Sequence, residues 1–392
     1  MSADSNAGRR AFRFVLAFGV VNLFADMTYE GARSATGAFL GALGASATAV
    51  GIAAGLGELM GYSFRLVTGY FADRTRRYWA FIIGGYAVNL LAVPALALAG
   101  SWPAAAALMV IERTGRAVRK PSVEALLSEA GDSIGQGWVF GLNEALDQTG
   151  ATVGPLIVAL VLYLKGGYRE GFAVLLVPAL LCLATIAAAR LSPAGRSFAG
   201  LQKPRGLSAR GQAAPYWWFL AAGCAIAAGF SDFALIAYRL QTGSVIRESM
   251  IPALYSAAMA TAAVAALLLG RLLDRLGRPV LILAFVPSIL SAPLVLLGPP
   301  GAVLAGMVLW GVGLGAQDSL LKAALAPLVD PGRRALGFGM FDAAFGVSWF
   351  VGSVVTGFLY DRSAFSAAAF SAALQLAALP LLVVATRPRA AA

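Results

Sequence analysis

An ionisable side chain inside a long apolar run is expensive to keep in a membrane, and this chain keeps several. Asp26 and Glu30 stand four residues apart, which on a helix puts both carboxylates on one face. Two carboxylates crowded together resist being charged at the same time, the property expected of a group that takes up and releases a proton. Arg113, in a later apolar run, is a counter-charge that could face them across a cavity. Glu58, Asp147 and Asp232 complete the candidate proton-binding or substrate-binding set. Asp232 repeats the position of Asp26 further along, but Ile236 stands where the second acid would be, so coupling is expected to concentrate in the first half. A competing reading makes Glu30 a permanent partner of Arg33 and Arg65 a helix-end charge reaching the interface. Buried arginines such as Arg65 and Arg113 also suit bidentate contact with a carboxylate or phosphate. There is no histidine, and the only cysteines, Cys182 and Cys224, lie in apolar runs. A Cys/His metal cage or a disulfide framework is therefore not expected, nor is a cofactor.

The elements that must carry these residues are membrane helices. Hydrophobic residues make up 59% of the chain and charged residues 12%, about half the ~25% charged share of a soluble domain. A spanning helix needs ~20 mostly apolar residues. Runs of that length occur at about 11–33, 46–71, 78–99, 103–124, 138–163 and 169–190, then at about 215–239, 249–272, 279–298, 301–324, 336–360 and 364–386. The expected fold is an all-α integral membrane protein with twelve transmembrane helices in two pseudo-symmetric six-helix bundles. The bundles are residues 1–190 and 214–392, joined by a Pro-, Gly-, Ser- and Arg-containing cytoplasmic linker at 191–213. The first run is too long and too acidic for a cleavable signal, so it counts as the first helix. Lys and Arg gather in alternate loops, including Arg74, Arg76, Arg77, Arg275 and Arg278. By the positive-inside rule both termini are cytoplasmic. The formal charge of +11 then follows from topology and calls for no nucleic-acid partner.

The chain repeats itself. Gly69-Tyr-Phe-Ala-Asp73-Arg74 has a near copy at Gly270-Arg-Leu-Leu-Asp274-Arg275, each between two apolar runs. Asp26 and Arg33 match Asp232 and Arg239; Gly115 matches Gly313; Glu144 and Gly154 match Asp342 and Gly352. The loop residues Gly69, Asp73, Arg74, Gly270, Asp274 and Arg275, with Arg116, Glu144 and Asp342, are the candidate gating set. Asp73 is expected at the start of helix eleven and Asp274 at the start of helix five, because a helix start attracts a carboxylate. Arg113, Arg116 and Lys120 form a basic stripe on helix four, for which salt bridges to Glu144 or Asp73 are the simplest expectation.

Twelve helices, a parallel six-helix duplication and this loop signature resemble the major facilitator superfamily of secondary transporters. The first loop copy carries Arg76 where the superfamily pattern has Gly; the second keeps it as Gly277. Gly150-Ala-Thr-Val-Gly154-Pro155 looks like the helix-five signature of drug:proton antiporters, with Leu156 to Ala159 in place of the glycines that usually follow. Pro155 is expected to bend helix five. Asp26-Met-Thr-Tyr-Glu30 together with Arg113-Thr-Gly-Arg-Ala-Val-Arg119 is similar to a bacterial group that includes drug and nickel-resistance exporters, although the lack of histidine speaks against nickel.

The resemblance implies a monomeric, multi-pass transporter of the bacterial inner membrane that moves a small molecule by alternating access, with protons and the lipid bilayer as its other partners. Proton-coupled efflux is the first expectation. An importer or uniporter of an anionic metabolite is the alternative, and an intramembrane enzyme or a lipid scramblase fits less well. The substrate cavity is expected between the two halves at mid-membrane, lined by helices one, four, seven and ten plus two, five, eight and eleven, with helices three, six, nine and twelve facing lipid.

Overall fold

The computed structural model describes residues 2–193, 195, 214–329 and 334–386, so most of the expected linker lies outside the described residues. Helices dominate the described chain. They are α1 (Ser2–Ala42), α2 (Ala47–Thr75), α3 (Tyr78–Ala95), α4 (Trp102–Ile134), α5 (Gln136–Tyr163) and α6 (Tyr168–Leu191), followed by α7 (Ala214–Thr242), α8 (Met250–Leu276), α9 (Arg278–Leu297), α10 (Pro300–Leu325), α11 (Arg334–Arg362) and α12 (Ala364–Ala385). Ten of these are long and apolar enough to cross a membrane. The other two, α2 and α4, have 29 and 33 residues and are long enough. Their apolar stretches are interrupted by Glu58 and Arg65 on α2 and by Glu112, Arg113, Arg116 and Arg119 on α4. The fold is thus an all-α, twelve-helix membrane architecture.

Three helices are not continuous, which the hydropathy of the sequence does not reveal. α6 is interrupted at Leu175, and α10 passes through a π-helical turn at Gln317–Leu321. α7 stops at Gly229 and restarts at Phe233. A break at membrane depth leaves backbone groups needing partners. Here the Asp232 carboxylate accepts the Ala234 N–H at 2.9 Å, and the Trp310 indole donates to the Ser231 carbonyl at 2.8 Å. α5, by contrast, continues through Pro155.

Contacts divide the chain into two compact units, Met1–Thr36 with Phe64–Arg205, and Gly37–Ser63 with Gly206–Ala392. The second unit therefore takes in the end of α1 and the first half of α2. The reason is close packing and a cap. Gly51 of α2 has no room for a Cβ against the Ser353 carbonyl of α11. At the start of α2 the Asp361 carboxylate of α11 accepts the N–H groups of Ala47 and Thr48, each at 2.8 Å, and the Thr48 hydroxyl at 2.5 Å.

Inside each unit the repeat has a physical form. In the first, α4 crosses α3 where Gly115 meets the Asn89 backbone, and α5 lies on α1 where Gly154 meets the Met27 carbonyl. In the second, Gly313 of α10 meets Ser288 of α9, and Gly352 of α11 meets the Ala228 carbonyl of α7. The matched glycines thus occupy matched helix crossings, where small residues let backbones approach without a hydrophobic drive. α3, α6, α9 and α12 carry exposed apolar side chains, among them Leu91, Leu180, Leu290 and Leu376, suited to acyl chains.

Candidate functional site

A cavity of about 330 Å³ lies within the first unit. α1 supplies Asn22, Asp26 and Tyr29 to its wall; α5 supplies Asn143, Glu144 and Asp147. α4 supplies Arg116, Arg119 and Lys120, with Glu124 and the apolar Val123 and Leu127 one or two turns further on.

The glycines of α5 bring these walls together. A Cβ on Gly150 would collide with the Leu23 carbonyl and would sit 2.9 Å from the Asp26 Cβ; Gly154 has no more room one turn later. The absence of side chains there lets α5 lie directly against α1, which carries Asp147 to the cavity that Asp26 faces. The two carboxylates are near enough to repel one another. A buried amide pair fixes the register: Asn22 donates to the Asn143 side-chain oxygen at 2.9 Å, and the Tyr86 hydroxyl donates to Asn22 at 2.7 Å. Asn143 in turn donates to the Val139 carbonyl at 3.2 Å. α4 is placed by its crossing with α3, where Asn89 donates to the Glu112 carboxylate at 2.6 Å.

The charges of the cavity are sorted by element. α1 and α5 present anions, while α4 presents Arg116, Arg119 and Lys120 together with Glu124, which pairs with Lys120. Tyr29 connects the two sides, because it is hydrogen-bonded to Asp26 while the Arg116 guanidinium lies 4.3 Å from its ring centre. Arg119 stacks over Tyr86 at 4.1 Å, and its Nε has no hydrogen-bond partner although buried. The Oδ1 of Asp147 is likewise buried without a hydrogen bond. Such atoms are costly unless something else visits them.

The remaining candidates fall elsewhere. Glu30 lies 3.9 Å from Arg116 and 4.0 Å from Arg33 as a partner in ion pairs, and Arg113 pairs with its neighbour Glu112 at 3.4 Å. Neither Glu30 nor Arg113 is among the described lining residues of the cavity. On the basic stripe, Arg116 goes to Glu30, Lys120 to Glu124 at 3.9 Å, and Arg119 to aromatic rings. Glu144 accepts a hydrogen bond from Gln148 at 2.8 Å. Glu58 and Asp232 are buried in the second unit, and Asp232 is occupied as a helix cap. Of the gating set, Asp73 accepts the Tyr78 hydroxyl at 2.8 Å, Arg74 donates to Tyr70 at 3.1 Å, and Gly69 packs on Pro121. Gly270 and Arg275 lie in the last turns of α8 and Asp342 on α11. The Asp274 side chain lies outside the described residues. Sequence reasoning did not reach Asn22, Tyr29, Tyr86 and Asn143, and it gave Arg119 no place among the candidate site residues. The Gly150–Gly154 spacing marks a close crossing of α5 but does not single out these four side chains. Among the described residues no group of His, Cys, Asp or Glu is arranged to hold a metal ion.

An all-α membrane architecture whose first unit holds a polar, charge-lined cavity is suited to transport. The family model of the Major Facilitator Superfamily matches residues 217–392. An uncharacterized protein of Mycobacterium tuberculosis is 38% identical over 359 residues, covering 90% of this chain and 88% of the relative. An uncharacterized MFS-type transporter of Methanocaldococcus jannaschii is 25% identical over 172 residues, 43% of each chain. The fold is shared with the nucleoside transporter NupG, at TM-score 0.79 and 12% identity over 94% of this chain and 99% of that one. It is shared also with a POT family transporter bound to a thioalcohol-conjugated peptide, at TM-score 0.77 and 12% identity over 95% of each. The second half of the chain thus matches the Major Facilitator Superfamily model, and the fold of the chain is that of multi-pass membrane transporters.

Proposed function

We propose that this transporter is proton-coupled, that Asp26 and Asp147 form its proton-binding pair, and that it exports a small molecule across a bacterial inner membrane with both termini in the cytoplasm. The observation that carries the reading is the pair itself: two carboxylates from different helices face one cavity, and Asp147 keeps a buried oxygen without a hydrogen bond. A proton held between them relieves their repulsion and gives Asp147 a donor. Arg116 and Arg119 on the facing helix favour the ionised state, so a movement of α4 relative to α1 and α5 changes the pair's hold on the proton. That is the requirement for coupling transport to a gradient. Tyr29, in contact with Asp26 and Arg116, is placed to transmit such a movement. Efflux is favoured over uptake by the helix-five run Gly150 to Pro155, whose likeness to drug:proton antiporters is described above. The Asp73 and Asp274 loops would act as cytoplasmic latches at the starts of α11 and α5.

Import or uniport of an anionic metabolite is the second reading, and the cations that α4 presents to the same cavity favour it. Purified protein in liposomes with an entrapped pH-sensitive dye separates the two when challenged with a substrate panel under an imposed pH gradient. The proposal expects a substrate-dependent proton flux that disappears in the Asp26→Asn/Asp147→Asn double variant. Substrate movement with no proton flux, or flux unchanged in that variant, would refute it.

A further inference from the structure

We infer that the cavity of the first unit recognises a compact zwitterion, whose anionic group docks on Arg119 and Arg116 and whose cationic group docks on Asp147 and Asp26. The inference deepens the transport reading by naming the substrate class, and it rests on that reading only for the assumption that the occupant is carried. Three observations support it. First, the wall is bipolar: α4 contributes the guanidinium groups, and α1 and α5 contribute the carboxylates other than Glu124 of α4, which pairs with Lys120 on its own helix. Second, the opposite charges are held apart, for no described ion pair joins Asp26 or Asp147 to Arg116 or Arg119. A cavity meant to be neutral when empty would close such pairs, since an uncompensated buried charge is costly. Third, each side has a buried polar atom without a hydrogen-bond partner, the Arg119 Nε and the Asp147 Oδ1, and Arg119 is only 6% exposed.

A lone cation would leave the buried Arg119 Nε without an acceptor, and a lone anion would leave the buried Asp147 Oδ1 without a donor, although Arg116 already has Glu30 as a partner. A planar guanidinium presents its donors to a carboxylate as a fork, so a carboxylate is the better match for Arg119, and an ammonium donates to both carboxylates on the other side. The gap between the charge groups requires a spacer between the two ends of the ligand. The volume of about 330 Å³ limits the ligand to a small molecule.

The test is binding to the purified full-length protein in detergent, with no ion gradient, read as thermal stabilisation and by calorimetry. The probes are β-alanine, γ-aminobutyrate and ε-aminocaproate, which lengthen the spacer between ammonium and carboxylate, with butylamine and butyrate as single-charge controls. The expected result is that at least one of the zwitterions stabilises the protein, with an optimum spacer length, whereas butylamine and butyrate do not. Asp147→Asn and Arg119→Lys should each weaken that probe roughly ten- to hundredfold, the loss expected for one charge-assisted hydrogen bond. Arg119→Lys keeps the charge against Tyr86 and removes the fork, and its unliganded melting temperature serves as the folding control. Butylamine binding as well as γ-aminobutyrate, the two variants leaving affinity unchanged, or no zwitterion stabilising the protein would each overturn the inference. Because no gradient is present, a protein that binds zwitterions yet moves no protons fails the coupling proposal alone. One that couples protons to transport yet ignores zwitterions fails this inference alone.

Discussion

Glu30 shows how far an individual residue can be read from spacing. Four residues from Asp26, it resembles the second half of a carboxylate pair; in the fold it is engaged by Arg33 and Arg116 instead, while Asp147 from α5 faces the cavity with Asp26. Spacing along one helix establishes which face a residue shares, but not which helix packs on that face. Glu30→Gln is therefore expected to behave as a structural change. It weakens a largely buried charge contact, at a cost of roughly 1.5 to 3 kcal/mol, and lowers the melting temperature. Proton flux per substrate moved should stay the same in liposomes. Loss of coupling with unchanged stability would return Glu30 to the proton site. Asp26 and Asp147 were both legible as acids in apolar surroundings. Their partnership depends on α5 lying against α1, which only the glycine pair Gly150 and Gly154 encodes locally.

Among the elements, hydropathy located the helices well and described their interiors poorly. The breaks in α6 and α7 and the π turn in α10 leave the hydrophobic signal unchanged, because a window average does not register whether Ser231 and Asp232 are helical. The cap on α2 is only partly local: Ser46 accepts the Ala49 N–H at 3.2 Å, and a distant side chain supplies the rest. Asp361 is more than three hundred residues from Ala47 and Thr48, yet its carboxylate serves as their N-cap. An N-terminal turn has free N–H groups and a partial positive charge, so removal of a capping carboxylate is expected to cost ~0.5 to 2 kcal/mol. Asp361→Ala should then lower thermal stability by that amount and speed hydrogen exchange at the start of α2. Asp361→Asn, which keeps one acceptor, should lose less. Equal stability of all three proteins would show that Ser46 and the Gly51 crossing on α11 hold the start of α2 without Asp361. The same two contacts explain why residues 37–63 join the second unit, whereas a reading of the repeat divides the chain at the linker. Duplication records ancestry in sequence order, but packing groups residues by what they touch.

For the whole molecule, the charge distribution carries the argument. The chain is strongly basic, with a formal charge of +11, and its arginines gather in the turns after α2 and α8 and in the stretch that follows α6. Translocation of short loops rich in Lys and Arg is disfavoured, so the proposed orientation keeps those turns in the cytoplasm and sends the intervening ones across. The turn between α1 and α2, around Gly44, and the turn between α9 and α10, around Gly298, carry no Lys or Arg and are outside in the proposed orientation. The α5–α6 turn holds Lys165 and Arg169; it is the weakest point of the pattern, although Arg169 is occupied as a donor to the Ala99 carbonyl at the end of α3. Orientation can be measured independently of any substrate. In a background with Cys182 and Cys224 replaced by serine, single cysteines at Ser46, Lys165 or Gly298 should react with a membrane-impermeant maleimide applied to intact cells. Single cysteines at Arg77 or Arg275 should react only after the membrane is opened. Cys182 is buried and its thiol donates to the Val21 carbonyl, so its serine replacement keeps a donor in place. The reverse labelling pattern would invert the protein. The latch positions proposed for Asp73 and Asp274 would then face away from the cytoplasm, and export and import would exchange places in the reading of the same cavity.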